Sequence, residues 1–241
     1  MVKLSVNINK IATLRNARGG NIPNLLQVAK DIQIFGGQGI TVHPRPDERH
    51  ITYKDVYDLS KVVKKEFNIE GYPNERFMKL VLDIKPDQVT LVPDSDHAIT
   101  SNRGWDTILH QNLLTDKVNQ LKRKGIRSSI FLDPIPEMVP YVKKIGADGI
   151  ELYTGYYSFG FMKKKFDCIH SYINTAKIAN SNKLFVNAGH DLNLENLSFL
   201  IENIPFLMEI SIGHALISES LYLGLENTIQ SYLKRIKKIY K

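Results

Sequence analysis

Short β-branched and apolar segments alternate with amphipathic segments eight times along this chain, and that alternation restricts the fold more than any other feature. Strand-like segments lie at residues 4–8, 39–43, 67–71, 88–92, 127–132, 149–154, 183–187 and 208–213. Helix-like segments follow them at 23–35, 52–66, 74–84, 115–124, 136–145, 163–179, 193–202 and 215–239. Local chemistry marks the ends. Pro23 falls in the first turn of its helix, Asn74 caps its own, and Gly36, Gly125 and Gly146 stand where helices stop. A strand followed each time by a helix forces parallel strands joined by right-handed crossovers. Eight such units in 241 residues fit a closed (β/α)8 TIM barrel better than an open doubly wound sheet. The heptapeptide Gly36-Gly-Gln-Gly-Ile-Thr-Val42 echoes Gly146-Ala-Asp-Gly-Ile-Glu-Leu152, each reading as helix end, tight turn and buried strand. No Pro-, Gly- or Ser-rich linker divides the chain, so a single domain over residues 1–241 is expected. Residues 94–114, with Trp105 and His110 among them, are too long for an ordinary strand-to-helix connection and are expected to form a lid or an extra helix.

Composition excludes several classes. The single cysteine, Cys168, allows neither an intrachain disulfide nor a cysteine-rich zinc site. The first residues, Met1-Val-Lys-Leu-Ser-Val6, lack the apolar region of a signal peptide, and no apolar run approaches the roughly 18 residues of a membrane span. A cytoplasmic protein with no membrane partner is expected. The net charge is +7, which suits nucleic acid, a membrane surface or anionic small molecules. Much of that charge sits at residues 163–165 and in the tail 234–241. In the tail Leu233, Ile236 and Ile239 recur at helical spacing, so its lysines read as the solvated face of a last helix rather than a nucleic-acid arm.

In a barrel of this kind the site forms at the C-terminal ends of the strands. Those ends deliver a consistent chemistry. Strand one ends in Asn7 and Asn9, followed by Lys10 and Arg18. Strand two runs into His43, then Arg45 and His50, with two prolines holding the chain extended. Strand three supplies Glu70, strand four leads to Thr100, and strand six supplies Glu151 and Thr154. Strand seven ends in Asn187-Ala-Gly-His190 and strand eight in Ser211-Ile-Gly-His214. Imidazoles beside carboxylates suit proton transfer near neutral pH. Lys10, Arg18 and Arg45 suit phosphate or carboxylate anchoring, and the glycines after strands seven and eight allow a helix N-terminus to cradle phosphate. No lysine ends an interior strand, so a Schiff-base aldolase is unsupported. Strand one carries Asn-Ile-Asn rather than His-x-His, which argues against a hydrolytic metal centre although His43, Glu151, His190 and His214 could be brought together. Proton-transfer or carbonyl chemistry on small phosphorylated substrates follows. Another phosphosugar-acting isomerase or aldolase stays open at this point, as does a basic nucleic-acid binder.

The segments Val6-Asn-Ile-Asn-Lys-Ile-Ala-Thr-Leu-Arg-Asn-Ala-Arg-Gly19, Gly39-Ile-Thr-Val-His43 with Arg45, Asp47, Arg49 and His50, Asn68-Ile-Glu70, Glu151 with Thr154-Gly155, Val186-Asn-Ala-Gly-His190 and Ile212-Gly-His214 resemble the pyridoxine 5′-phosphate synthase family. The resemblance spans essentially the whole chain. It implies a barrel with extra helices, no metal and no organic cofactor, and dimers assembled into homo-octamers. It also implies a reaction, the condensation of 1-deoxy-D-xylulose 5-phosphate with 3-amino-2-oxopropyl phosphate to pyridoxine 5′-phosphate, phosphate and water. Carried over motif by motif, His43 and Glu70 are proton acceptors, His190 is a proton donor and Glu151 stabilises the transition state. Asn7, Arg18, Gly213 and His214 would hold the aminoketone phosphate, and Asp191 would be a further substrate contact through its backbone N–H. Asn9, Lys10, Arg45, His50 and Thr100 would hold the sugar phosphate. The chain departs from the family pattern at Asn9-Lys10, where Asp-His is common, and at Asp191, where glycine commonly follows the donor histidine.

Overall fold

A computed structural model describes residues 1–94 and 101–239. Strand and helix alternate from end to end: β1 Lys3–Asn7, α1 Asn9–Asn16, α2 Leu25–Ile34, β2 Gly39–Val42, α3 Tyr53–Val62, β3 Glu66–Gly71, α4 Glu75–Ile84, β4 Gln88–Leu91, α5 Gln111–Arg123 and β5 Arg127–Leu132. There follow α6 Val139–Ile145, β6 Gly149–Tyr153, α7 Gly155–Met162, α8 Ile169–Ser181, β7 Phe185–Gly189, α9 Leu197–Asn203, β8 Leu207–Ile212, α10 His214–Leu223 and α11 Leu225–Ile239. The strands pair in sequence order, all parallel, and β8 closes on β1 through Lys3–Val6 against Glu209–Ile212. This is a (β/α)8 TIM barrel with extra helices.

The two faces of each strand divide the work. Leu4, Val6, Ile40, Val42, Ile69, Val89, Ile130, Leu132, Ile150, Leu152, Val186 and Ile210 are buried in one apolar core shared with the helix faces. The alternate positions are polar. Ser5, Thr41, Asn68, Thr90, Ser129, Glu151, Asn187 and Ser211 are all buried within the barrel. Hydrogen bonds link them from strand to strand: Ser5 and Thr41 hydroxyls at 2.8 Å, Asn68 Nδ2 to Thr41 Oγ1 at 3.5 Å, Thr90 Oγ1 to Asn68 Oδ1 at 3.1 Å. Toward the N-terminal ends of the strands Glu66 pairs with Lys3 at 2.9 Å and with Arg127, whose Nε donates to Gln88 Oε1 at 3.0 Å.

Capping explains where several helices begin. Asn24 Oδ1 accepts the Gln27 N–H at 2.9 Å, and Asn74 Oδ1 accepts the Phe77 N–H at 2.8 Å. Thr52 and Asp55 form a reciprocal capping box on α3, an arrangement worth about 1 kcal/mol per cap. Asp55 also receives both Arg15 terminal nitrogens, at 2.6 and 2.8 Å, which pins α1 to α3.

The structure departs from the sequence expectation chiefly in three helical regions. Residues 9–16 are helical although they carry no capping side chain. Residues 155–162 form α7, and the helix expected at 163–179 is instead a 3₁₀ turn at Phe166–Cys168 leading into α8. The expected helix at 215–239 is two helices, because Gly224 takes a left-handed φ of 79° and breaks it. Of the 94–114 segment, expected as a lid or extra helix, residues 95–100 lie outside the described residues; beyond them Trp105 is buried, its Nε1 donating to the Leu91 carbonyl at 2.9 Å and its ring stacking on Tyr72 at 5.8 Å. His110 packs edge-on against Trp105 at the start of α5. No helix among the described residues is long and apolar enough to cross a membrane.

Candidate active site

A cavity of about 520 Å³ opens at the C-terminal ends of the strands. Its floor and walls carry His43, Glu70, Glu151 and His190; its rim carries Asn7, Asn9, Lys10, Arg45, His50, Asp191, Gly213 and His214. These come from β1, β2, β3, β6, β7 and β8 and the turns that follow them. One of the residues that the resemblance implied stands elsewhere. Arg18 is exposed in the turn after α1 and does not line the cavity. The reason is geometric: α1 starts at the rim with Asn9, and its eight residues rise 1.5 Å each, carrying the chain roughly 12 Å along the helix before Arg18. Thr100 lies outside the described residues.

His43 follows β2 directly and is buried. Its backbone N–H donates to Asn9 Oδ1 at 3.0 Å, tying the end of strand two to the start of α1. Asn7 Oδ1 accepts the Asn9 N–H at 3.0 Å. The two asparagines therefore act as a structural chain at the rim as well as lining it. Glu70 lies on the neighbouring strand with its Oε2 3.8 Å from His43 Nδ1. Burial, and then the positive charge of Arg45, hold the His43 imidazole well below its ordinary 6.5. Burial, and then the Glu151 and Asp94 carboxylates, push Glu70 well above its ordinary 4.5. Both shifts favour the uncharged forms, a neutral imidazole beside a carboxyl that keeps its proton. His43 can accept a proton as it stands; Glu70 becomes an acceptor only after passing its own proton on.

Glu151 is deeper, with Thr90 Oγ1 3.3 Å from its Oε2. Burial lifts its carboxyl to about 7, the Thr90 hydroxyl opposing. The space for that carboxylate is made by Gly189 on β7, where a Cβ would sit 2.5 Å from Glu151 Oε1. His190 faces the same space from the end of β7. Its imidazole packs against Phe131 and Tyr153, each ring centroid 5.4 Å away. Burial lowers it from 6.5, and the Asp191 and Asp94 charges work against that.

Arg45 is buried and paired with Asp94 at 2.8 Å, and Ser101 Oγ donates to the same carboxylate oxygen at 2.6 Å. His50 accepts the Ile51 N–H on Nδ1 at 2.8 Å, which leaves Nε2 to carry the proton of the neutral ring. Burial and Arg45 push that ring down to about 4, so it is a neutral donor at physiological pH. On the far side α10 starts with no capping side chain at Gly213. A Cβ on Gly213 would come within 3.0 Å of Asn7.

Asp94, Ser101 and Thr90 escaped sequence reasoning, whereas Ser211 was among the strand-end residues. Asp94 had a usable signal, since it follows Pro93 at the end of a strand; Thr90 had none, being an unremarked polar residue inside β4. Among the described residues no three His, Cys, Asp or Glu side chains converge as a ligand set for a metal.

The fold and the cavity define a barrel enzyme with imidazoles and carboxyls gathered beside cationic side chains at one mouth. The family model described as "Pyridoxal phosphate biosynthesis protein PdxJ" matches residues 4–238. The chain is 60% identical to a pyridoxine 5′-phosphate synthase of Cytophaga hutchinsonii over 238 residues, 99% of this chain and 100% of that protein. It is 59% identical to a pyridoxine 5′-phosphate synthase of Flavobacterium johnsoniae, covering 98% of this chain and 100% of that one. Among solved structures, orotidine 5′-monophosphate decarboxylase from Methanocaldococcus jannaschii superposes with a TM-score of 0.66 at 12% identity over 98% of each chain. That likeness reaches the barrel fold and no further. The chain belongs to the PdxJ family.

Proposed function

We propose that this chain condenses 1-deoxy-D-xylulose 5-phosphate with 3-amino-2-oxopropyl phosphate to give pyridoxine 5′-phosphate, phosphate and water. The observation that carries the reading at the level of the site is one cavity joining His43, Glu70, Glu151 and His190 to anion donors on two sides. Its chemistry requires imine formation, phosphate elimination, water addition and ring closure, and each of these moves protons between carbon, oxygen and nitrogen.

In this reading His43 takes a proton first, since it is neutral and buried. Glu70, 3.8 Å from it, holds a proton that it gives up before serving as the second acceptor. His190, across the cavity, returns a proton. Glu151 supports developing positive charge when ionised, and its value of about 7 keeps both forms accessible at working pH. The aminoketone phosphate would lie against Asn7, Gly213 and His214, where the uncapped start of α10 presents backbone N–H groups and the positive end of its dipole. The sugar phosphate would lie against Asn9, Lys10, Arg45, His50 and Thr100. The Asp191 carboxylate is exposed at the rim, so a contact with phosphate through its backbone N–H is compatible with the charge. Arg18 would act only by a change in the turn after α1 or from a neighbouring subunit.

The chain is read as one functional domain working in the cytoplasm, as a homo-octamer of four dimers. Exposed Tyr156, Phe159 and Met162 on α7, and Leu221 and Tyr222 on α10, support self-association. Light scattering on the purified protein tests the assembly. The decisive test of function is incubation with both substrates while following the pyridine chromophore of the product. Absence of the chromophore, with either substrate consumed alone, would favour a different phosphosugar reaction.

A further inference from the structure

Thr154 occupies the N-cap position of α7 and is fully buried. Threonine is favoured there because its hydroxyl ordinarily accepts from the first free N–H groups of the helix. In this protein the Thr154 hydroxyl makes no such bond. Its one proton is instead shared between two carbonyl oxygens, that of Gly189 at 2.6 Å and that of His190. The Thr154 N–H donates to the same Gly189 oxygen at 2.9 Å. Capping of α7 comes from another helix. Tyr172 of α8 accepts the Tyr157 N–H at 3.1 Å and donates its own proton to the Tyr153 carbonyl at 2.8 Å. That arrangement frees the Thr154 hydroxyl to hold the end of β7.

The end of β7 is a conformation that needs holding. His190 has φ 84° and Asp191 φ 55°, a left-handed region that residues with a Cβ seldom enter. Two such residues in succession turn the chain out of the strand and fix where the imidazole points. Asn196 Nδ2 holds the far side of the turn through the Asp191 carbonyl at 3.0 Å. The imidazole itself rests between Phe131 and Tyr153.

We propose that Thr154 is a positioning residue for His190, its hydroxyl locking the left-handed turn that aims the imidazole into the cavity. This rests on the reading of His190 as proton donor. The test compares Thr154→Val, which keeps the shape and removes the donor, with Thr154→Ser, which keeps the donor. Two readouts are taken: steady-state kinetics with both substrates, and imidazole NMR of the ligand-free protein. Thr154→Val should shift the His190 ring resonances and lower kcat by about 10–100-fold while KM changes by less than about twofold. Thr154→Ser should restore both. The NMR comparison needs no turnover, so an inactive wild type would count against the proposed reaction and leave the role of Thr154 still measurable. A folded Thr154→Val protein with unmoved His190 resonances and full kcat overturns the proposal. So does a Thr154→Ser protein as impaired as Thr154→Val. Should Thr154→Val fail to fold, Thr154→Ala against Thr154→Ser carries the same comparison.

Discussion

Replacing Glu151 by Gln removes one titrating group from the barrel interior with little change of shape. Burial lifts that carboxyl from the ordinary 4.5 to about 7. A carboxyl raised in the folded state binds its proton more tightly there than in the unfolded chain. Its contribution to stability is therefore fully present below pH 4.5 and is lost as pH rises through about 7. The window spans about 2.5 in pH, and each pH unit corresponds to about 1.4 kcal/mol, so the wild type loses roughly 3 kcal/mol across it. Glu151 is 2% exposed, so solvent screening removes little of this. Glu151→Gln has nothing to ionise and should be spared that loss. The lowered histidines titrate in both proteins and cancel in the difference, whereas Glu209, raised to about 9, loses the Glu151 charge that is one of the causes raising it, a smaller effect of the same sign. Glu70 loses one of the charges that raise it, a smaller effect of the same sign. Urea unfolding of both proteins at steps between about pH 4.5 and pH 8 measures the difference directly. It should move by roughly 3 kcal/mol in favour of the variant as pH rises, or roughly 6–12 °C in Tm for a chain of this size. A difference that stays constant with pH, or slopes the other way, refutes the reasoning.

Three further outcomes follow from the cavity. His43→Asn, Glu70→Gln and His190→Asn should each lower kcat by about 10²–10⁴-fold with melts near wild type, whereas Arg45→Ala should mainly raise KM for the sugar phosphate; steady-state kinetics beside thermal melts decides this, and a folded His43→Asn protein with full kcat would remove that residue from the mechanism. Inorganic phosphate binding near Gly213 and His214 should raise the depressed His190 pKa, because an added anion opposes the effect of burial; an NMR titration of the imidazoles with and without phosphate reads it, and an unmoved or lowered value counts against an anion site there. Gly189→Ala should lower kcat by displacing Glu151, since the new Cβ would lie 2.5 Å from its Oε1; unchanged kinetics would mean that the carboxylate has no fixed working position.

The barrel was legible because periodicity and punctuation agreed along most of the chain. The fifth strand was read with the bounds it has, Arg127–Leu132, where the preceding Gly125 and the apolar run Ile130–Leu132 leave little choice. Sequence signals failed where helices form without them. The α1 helix has no capping side chain, and its first residues look like the polar end of a strand. The α7 helix contains Gly155 and Gly160 with aromatic residues between, all weak helix formers, and it exists because Tyr172 caps it from α8. That bond joins residues 15 apart in sequence and cannot be read locally. The candidate site was legible as a set of strand ends, since eight parallel strands bring their C-terminal residues to one mouth. Its internal order was not. That His43 is paired with Glu70, that Arg45 is held by Asp94, and that Asn9 serves the His43 backbone all depend on strand register and on side-chain contacts across 27 to 49 residues.

On the proposed reading, the ionisation states have a common logic. The groups that would move protons are uncharged before substrate arrives: His43 and His190 are lowered by burial, Glu70 is raised by it. Arg45 and Lys10 supply positive charge at the same cavity. Two phosphate-bearing substrates would bring negative charge into a site of low dielectric, where each charge acts strongly on its neighbours. Every titrating group present would then have its pKa raised. For His190 that change favours the protonated form, which is the form a donor needs. For His43 it increases basicity, which is what an acceptor needs. For Glu70 it strengthens retention of the proton, so Glu70 can act as a base only after the first phosphate has been eliminated and has moved away. Substrate charge would thus set both the readiness of the acid and the order in which the two bases act.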